Sequence, residues 1–172
     1  MGPAWRIGRQ YKPKAAESKY QCDIVERSAQ PALTIRTRIS PIALAPTIGA
    51  SMLAVLQHAG EKGNTPTGPP FVAYHGFDGQ EQDIEIGFPF EPGIEGKDNI
   101  KVSEIPGGKS AIYHHVGPYE NLPQVRAALE QWLNTNGHAI SGATYEIYLN
   151  DPQTTAPENL ETEIVYPLLS GN

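Results

Sequence analysis

An α+β fold is what this sequence predicts: two tandem β-β-α-β-β modules, related by a pseudo-twofold axis around a central cleft. Three observations lead there. The chain repeats an ordered pattern of strands around one helix. Its 17 glycines and 16 prolines suit many turns and short strands. Its 172 residues fit one ordinary domain or two small halves sharing a core.

The repeat is faint but keeps its order. IVERSAQPALTIRTRI (24–39) lies over VSEIPGGKSAIYHHVG (102–117), each reading as two strands around a turn. Helical segments follow at 46–63 and 122–137. In the first, Ile48, Met52, Val55 and Leu56 keep the i, i+4, i+7, i+8 spacing of one buried face; in the second, Val125, Leu129, Trp132 and Leu133 keep the same spacing. Pro123 suits a helix start, and Gly60 and Gly137 suit helix ends. Each half then closes with two strands. FVAYHGFD (71–78) and DIEIGFPF (83–90) flank the turn dipeptide Asp78-Gly79, and YEIYLNDP (145–152) and ETEIVYPL (161–168) correspond to them. Module one thus spans about 21–92, module two about 99–169, and GIEGKDN (93–99) links them. One helix covers one face of each sheet. The other faces stay bare unless the halves meet, and a concave groove is expected between them.

Composition narrows the function. Apolar content of 39% with 19% charged residues is globular. No run approaches the ~20 apolar residues that a membrane helix needs, and the N-terminus lacks a secretory core, so a cytoplasmic location without a membrane span is expected. Residues 1–20 form a basic arm of net charge +4, which leaves −10 on the remainder, residues 21–172. Such an acidic body disfavours nucleic-acid binding and favours cationic ligands. The single Cys22 rules out an intrachain disulfide, and before the first strand it reads as a structural thiol. His114 and His115 are adjacent on a strand and face opposite ways, while His58, His75 and His138 are scattered, so no metal site and no cofactor is expected.

Glu146 is the unusual residue. It stands in the strand ATYEIYLNDP among Tyr145, Ile147 and Tyr148, where burial without a partner is costly. Alternation puts Tyr145 and Ile147 on one face and Glu146 and Tyr148 on the other. With Tyr145 and Ile147 packed on the helix through Leu129, Trp132 and Leu133, Glu146 and Tyr148 face the groove, beside Val72 and Tyr74 of the equivalent strand. The alternative is a solvated strand face with Glu146 in water. A groove lined by tyrosines around one acid suits a flat, lipophilic cation. Tyr113, Tyr119 and Tyr166 are further aromatic residues near it, and Trp132 is either core or part of its wall.

The segment GGKSAIYHHVGPYENL, the helix QVRAALEQWL and the strand YEIYLNDP resemble the GyrI-like small-molecule-binding domain, the effector-binding half of AraC- and MerR-type multidrug regulators. The resemblance covers about residues 21–169. It implies a duplicated, SHS2-like architecture and a cleft in which a strand glutamate, matched here by Glu146, meets cationic ligands inside an aromatic cage. The residues preceding that stretch offer no helix-turn-helix, so the expectation is a stand-alone binder of lipophilic cations. Some members similar in sequence hydrolyse cyclopropane-containing toxins; there Glu146 would be the general base and Tyr113 or Tyr148 the proton donor. Others bind a protein partner, as a DNA gyrase inhibitor does.

Overall fold

The structure, a computed structural model, describes residues 20–170; all but Tyr20 of the basic arm lies outside them. The element order is β1 (Asp23–Arg27), β2 (Gln30–Ile39), α1 (Leu44–Glu61), β3 (Phe71–Phe77), β4 (Gln82–Pro89), β5 (Ile100–Ile105), β6 (Gly108–Val116), α2 (Leu122–Thr135), β7 (Thr144–Tyr148) and β8 (Glu161–Pro167). The β-β-α-β-β order therefore runs twice. The strand YEIYLNDP stops at Tyr148. Beyond it the Asn150 and Asp151 side chains hold a turn, with Asn150 accepting the Glu161 N–H and Asp151 the Gln153 N–H.

The strands form one antiparallel sheet ordered β1-β6-β8-β7-β3-β4-β2-β5. The two halves join at its centre, where Val72 of β3 pairs with Glu146 of β7. They also exchange their first strands: β1 pairs with β6 and β5 with β2. The links 27–30 and 105–108 carry out that exchange and cross at Gly107. A Cβ there would stand 2.5 Å from the Ala29 nitrogen and 2.9 Å from the Arg27 carbonyl oxygen, so only glycine fits the crossing.

Both helices lie on one face of the sheet. Under α2, Val125, Leu129 and Leu133 pack on Ala111, Ile164 and Tyr166. Under α1, Val55 and Ala59 pack on Leu33, Ile35 and Phe88, while Leu44, Ile48 and Met52 reach Val72, Ile84 and Ile86. Leu56, placed on the buried face by its spacing, is 38% exposed instead. Each helix ends in a Schellman motif. Gly63 takes φ 76° and bonds back to Gly60 while Asn64 reaches Ala59; Gly137, also at φ 76°, bonds to Asn134 while His138 reaches Leu133. The first helix thus ends at Glu61 and takes Gly63, not Gly60, as the glycine of its C-terminal turn.

Against the expectation that no segment reaches that length, Pro41–Glu61 is long and apolar enough, by length and composition, to cross a membrane. In this fold it lies across β2 and β4, held by Val55 and Ala59, with Ile42 and Leu53 outward.

The opposite face of the sheet curls on itself. Ala32, Phe71 and Ala73 from the first half meet Ile105, Tyr145, Ile147 and Val165 from the second in one core. The halves do cover each other's bare face, as the layer argument requires, but apolar side chains fill the space where a groove was expected. Tyr145 and Ile147 belong to this inner core and not to the helix packing. Alternation along β7 holds; the assignment of its two faces is reversed. Alternation fixes which residues share a face, whereas the direction in which the sheet curls is a property of all eight strands.

Candidate functional site

Because the faces are reversed, Glu146 lies beneath the helices, in the seam between α1 and α2. It is 2% exposed. Its strand neighbours in register are Val72 on β3 and Ile164 on β8, both apolar and fully buried. Tyr148, two residues on, donates its hydroxyl to Glu146 Oε1 at 2.7 Å. The Tyr148 ring packs against the clusters under both helices and so spans the seam. Tyr119, from the single 3₁₀ turn Tyr119–Asn121 that opens α2, meets Tyr148 edge-on with ring centroids 5.3 Å apart. Tyr74 packs on the same seam from β3.

A residue that sequence reasoning missed completes the site. Arg126, on the first turns of α2, places its guanidinium carbon 4.3 Å from the centroid of the Tyr74 ring. Its Nε stands 3.2 Å from Glu146 Oε2. The two charges are close, yet neither atom makes a hydrogen bond of proper geometry, so the pair is electrostatic and poorly bonded. The available signal was the spacing, since Arg126 sits one residue after buried Val125 and three before Leu129, at the edge of the packed face.

Burial dominates the electrostatics. It raises the Glu146 carboxyl above the usual range, and Arg126 and the Tyr148 hydroxyl only partly offset it. Burial and the Glu146 charge push the Tyr74 phenol to about 12, and the same two causes push Tyr148 well above its ordinary value. Tyr119 Oη and Thr162 Oγ1 are further buried polar atoms near this seam without a protein hydrogen-bond partner among the described residues. Thr162 stands opposite Tyr148 in register, on the same face of the sheet. Glu146 Oε2, Tyr119 Oη and Thr162 Oγ1 thus leave hydrogen-bonding capacity open among the described residues of this seam.

The other predicted residues fall elsewhere. Tyr113 lies on the same face but two strands from Glu146, about 10 Å by strand spacing, and its ring faces Tyr20 at 6.0 Å. Tyr166 is fully buried and braces α2, its hydroxyl donating to the Arg126 carbonyl and Glu130 Oε2 at 3.3 Å each. Trp132 packs on the α2 core and stacks on His138 at 5.9 Å. Cys22 is buried, and burial with the neighbouring Asp23 raises its thiol to about 11, as befits an inert structural cysteine. His114 pairs with Glu161 at 2.9 Å on the surface. Among the described residues no group of three or more His, Cys, Asp or Glu side chains could hold a metal ion.

Fold and seam together define a small-molecule-binding α+β domain. The chain belongs to the GyrI-like small molecule binding domain family, whose model matches residues 20–169. Among solved structures it is similar to the C-terminal domain of EcmrR (TM-score 0.73, 24% identity), covering 87% of this chain and 97% of that one. EcmrR in a complex with DNA matches at TM-score 0.73 and 23% identity over 90% of this chain but 61% of the other. SAV2435 bound to tetraphenylphosphonium matches at TM-score 0.57 and 14% identity, over 87% and 94% of the two chains. A hydrolase from Listeria innocua matches at TM-score 0.60 and 16% identity, over 91% and 98%. At these identities the likeness is one of fold. No curated protein matches the chain.

Proposed function

We propose that this protein binds lipophilic organic cations in the seam between α1 and α2, with Glu146 supplying the charge and Tyr74, Tyr119 and Tyr148 the aromatic walls. The observation that carries the reading is a carboxylate 2% exposed, bordered by tyrosines and only loosely paired. A buried acid gains far more from a cation than an exposed one, because little water screens the pair. Aromatic faces add about 0.5–2 kcal/mol each for a desolvated cation. The net charge of −6 favours the approach of cations over anions, and SAV2435, of the same fold, is bound to such an ion. Two sequentially equivalent modules, with β3 and β7 meeting at the centre, put the acid where the halves join.

Ethidium fluorescence on wild type and Glu146→Gln tests the reading. The expected result is micromolar binding that weakens at least tenfold in the variant, about 1.4 kcal/mol. Equal binding by both would remove Glu146 from the site.

A second reading, hydrolysis of a strained electrophile, draws support from one contact: the Tyr148 hydroxyl on Glu146 at 2.7 Å supplies the acid beside the base, whereas Tyr113 stands too far away. The raised carboxyl moves such a base towards neutral pH, and a protein of this fold is described as a hydrolase. Arg126 opposes it, since a cation at 3.2 Å lowers the basicity the reaction needs.

A further inference from the structure

Resting on that reading, we propose that Arg126 is an internal stand-in for the ligand: it occupies the cation seat in the resting state, and a ligand enters by exchanging with it. The guanidinium is planar and delocalised, lies 4.3 Å over the Tyr74 ring, and approaches Glu146 Oε2 to 3.2 Å. Those are the two contacts a bound planar cation would make. The residue is nevertheless held weakly. Its Nε lacks a hydrogen bond, and its side chain is 18% exposed against 2% for Glu146, so the arginine end of the pair reaches solvent and the acid does not.

The helix also offers the displaced side chain a second berth. Glu130 lies four residues on, on the same helix face; it is exposed, and its Oε2 also accepts the Tyr166 hydroxyl at a long 3.3 Å, which leaves its other oxygen for a cation. The i, i+4 spacing puts Glu130 within reach of a guanidinium that leaves Glu146, so the displaced side chain has a second carboxylate to pair with. Exchange of this kind sets specificity as well as access. Only a cation that satisfies Glu146 better than the guanidinium does will displace it, which selects flat, delocalised, weakly hydrated head groups such as amidinium or quaternised heteroaromatic ions over compact ammonium ions. A neutral ligand of the same size leaves the acid unpaired and is refused.

The same ethidium titration separates this inference from the function it builds on. Arg126→Met keeps the length of the side chain and removes its charge; it is expected to bind ethidium at least tenfold more tightly than wild type, and adding Glu146→Gln to it is expected to abolish the gain. Glu130→Gln, at an exposed position, reads the same exchange with the buried pair intact and is expected to weaken ethidium several-fold, because the displaced guanidinium loses its berth. If Arg126→Met binds no tighter, or if Glu130→Gln leaves the affinity unchanged, the exchange is refuted, while a loss in Glu146→Gln alone still upholds the cation site. Loss of neither in any variant refutes both.

Discussion

Two buried glutamates on opposite faces of the sheet differ in how their charge is met. Glu85, on the inner face, is 8% exposed. Burial opposes its ionisation, yet hydrogen bonds from Ser103, Thr34 and His75 hold its carboxyl below the ordinary range. A lowered carboxyl stabilises the fold above the ordinary glutamate pKa, and that stabilisation is lost as pH falls through the folded value. Glu146 has the opposite sign. Its carboxyl is raised, so the fold is favoured below the ordinary glutamate pKa and loses that stability as pH rises through the folded value. Thermal melts at neutral pH should separate the two: Glu85→Gln loses roughly 1–3 kcal/mol, whereas Glu146→Gln loses none. A fall of similar size in both would make Glu146 a second structural acid. An acid kept at a cost to stability is the mark of a site. Glu146 was legible from its apolar company in β7, and Tyr148 and Tyr74 from strand parity. Arg126 was not, because an arginine on a helix edge reads as solvated until the partner beneath it is known.

At the scale of elements, the site depends on how the first strand of each half crosses to the other. That exchange makes one sheet of two and sets β3 against β7. It has a single tight point, the crossing of residues 27–30 over Gly107, where a Cβ would meet backbone atoms. Backbone cannot yield as a flexible side chain does, so Gly107→Ala should cost about 1–3 kcal/mol, read as a lower midpoint in urea with an unchanged slope. An unaffected midpoint would mean that the links are looser than this close approach requires. Strand and helix order, the Asp78-Gly79 turn and Gly137 were legible from local pattern, since periodicity and turn chemistry act within a few residues. Gly60 against Gly63 was not, because either glycine satisfies a helix stop and packing chooses between them. Strand exchange was not legible either: pairing across the halves leaves no trace in the pattern of any one strand.

At the scale of the whole molecule, the curl of the sheet decides where a ligand can go. The inner face is a closed core shared by both halves, which leaves the outer seam between the helices, where Glu146, Arg126 and three tyrosines converge. Sequence led to the expectation that the acid faces a ligand cleft, but put it on the wrong side of its sheet, because the direction of curl depends on all the strands together. On the proposed reading, an acidic body and a buried acid make the sign of a ligand's charge the first criterion of selection, ahead of its shape. Tetraphenylphosphonium and tetraphenylborate share size and shape and differ in the sign of their charge, so calorimetry with the two ions on wild type and Glu146→Gln tests that selection directly. Wild type is expected to bind the phosphonium at least tenfold more tightly than the borate, and Glu146→Gln is expected to abolish the difference. Equal affinity for the two ions, or a preference for the borate set by Arg126, would contradict selection by charge.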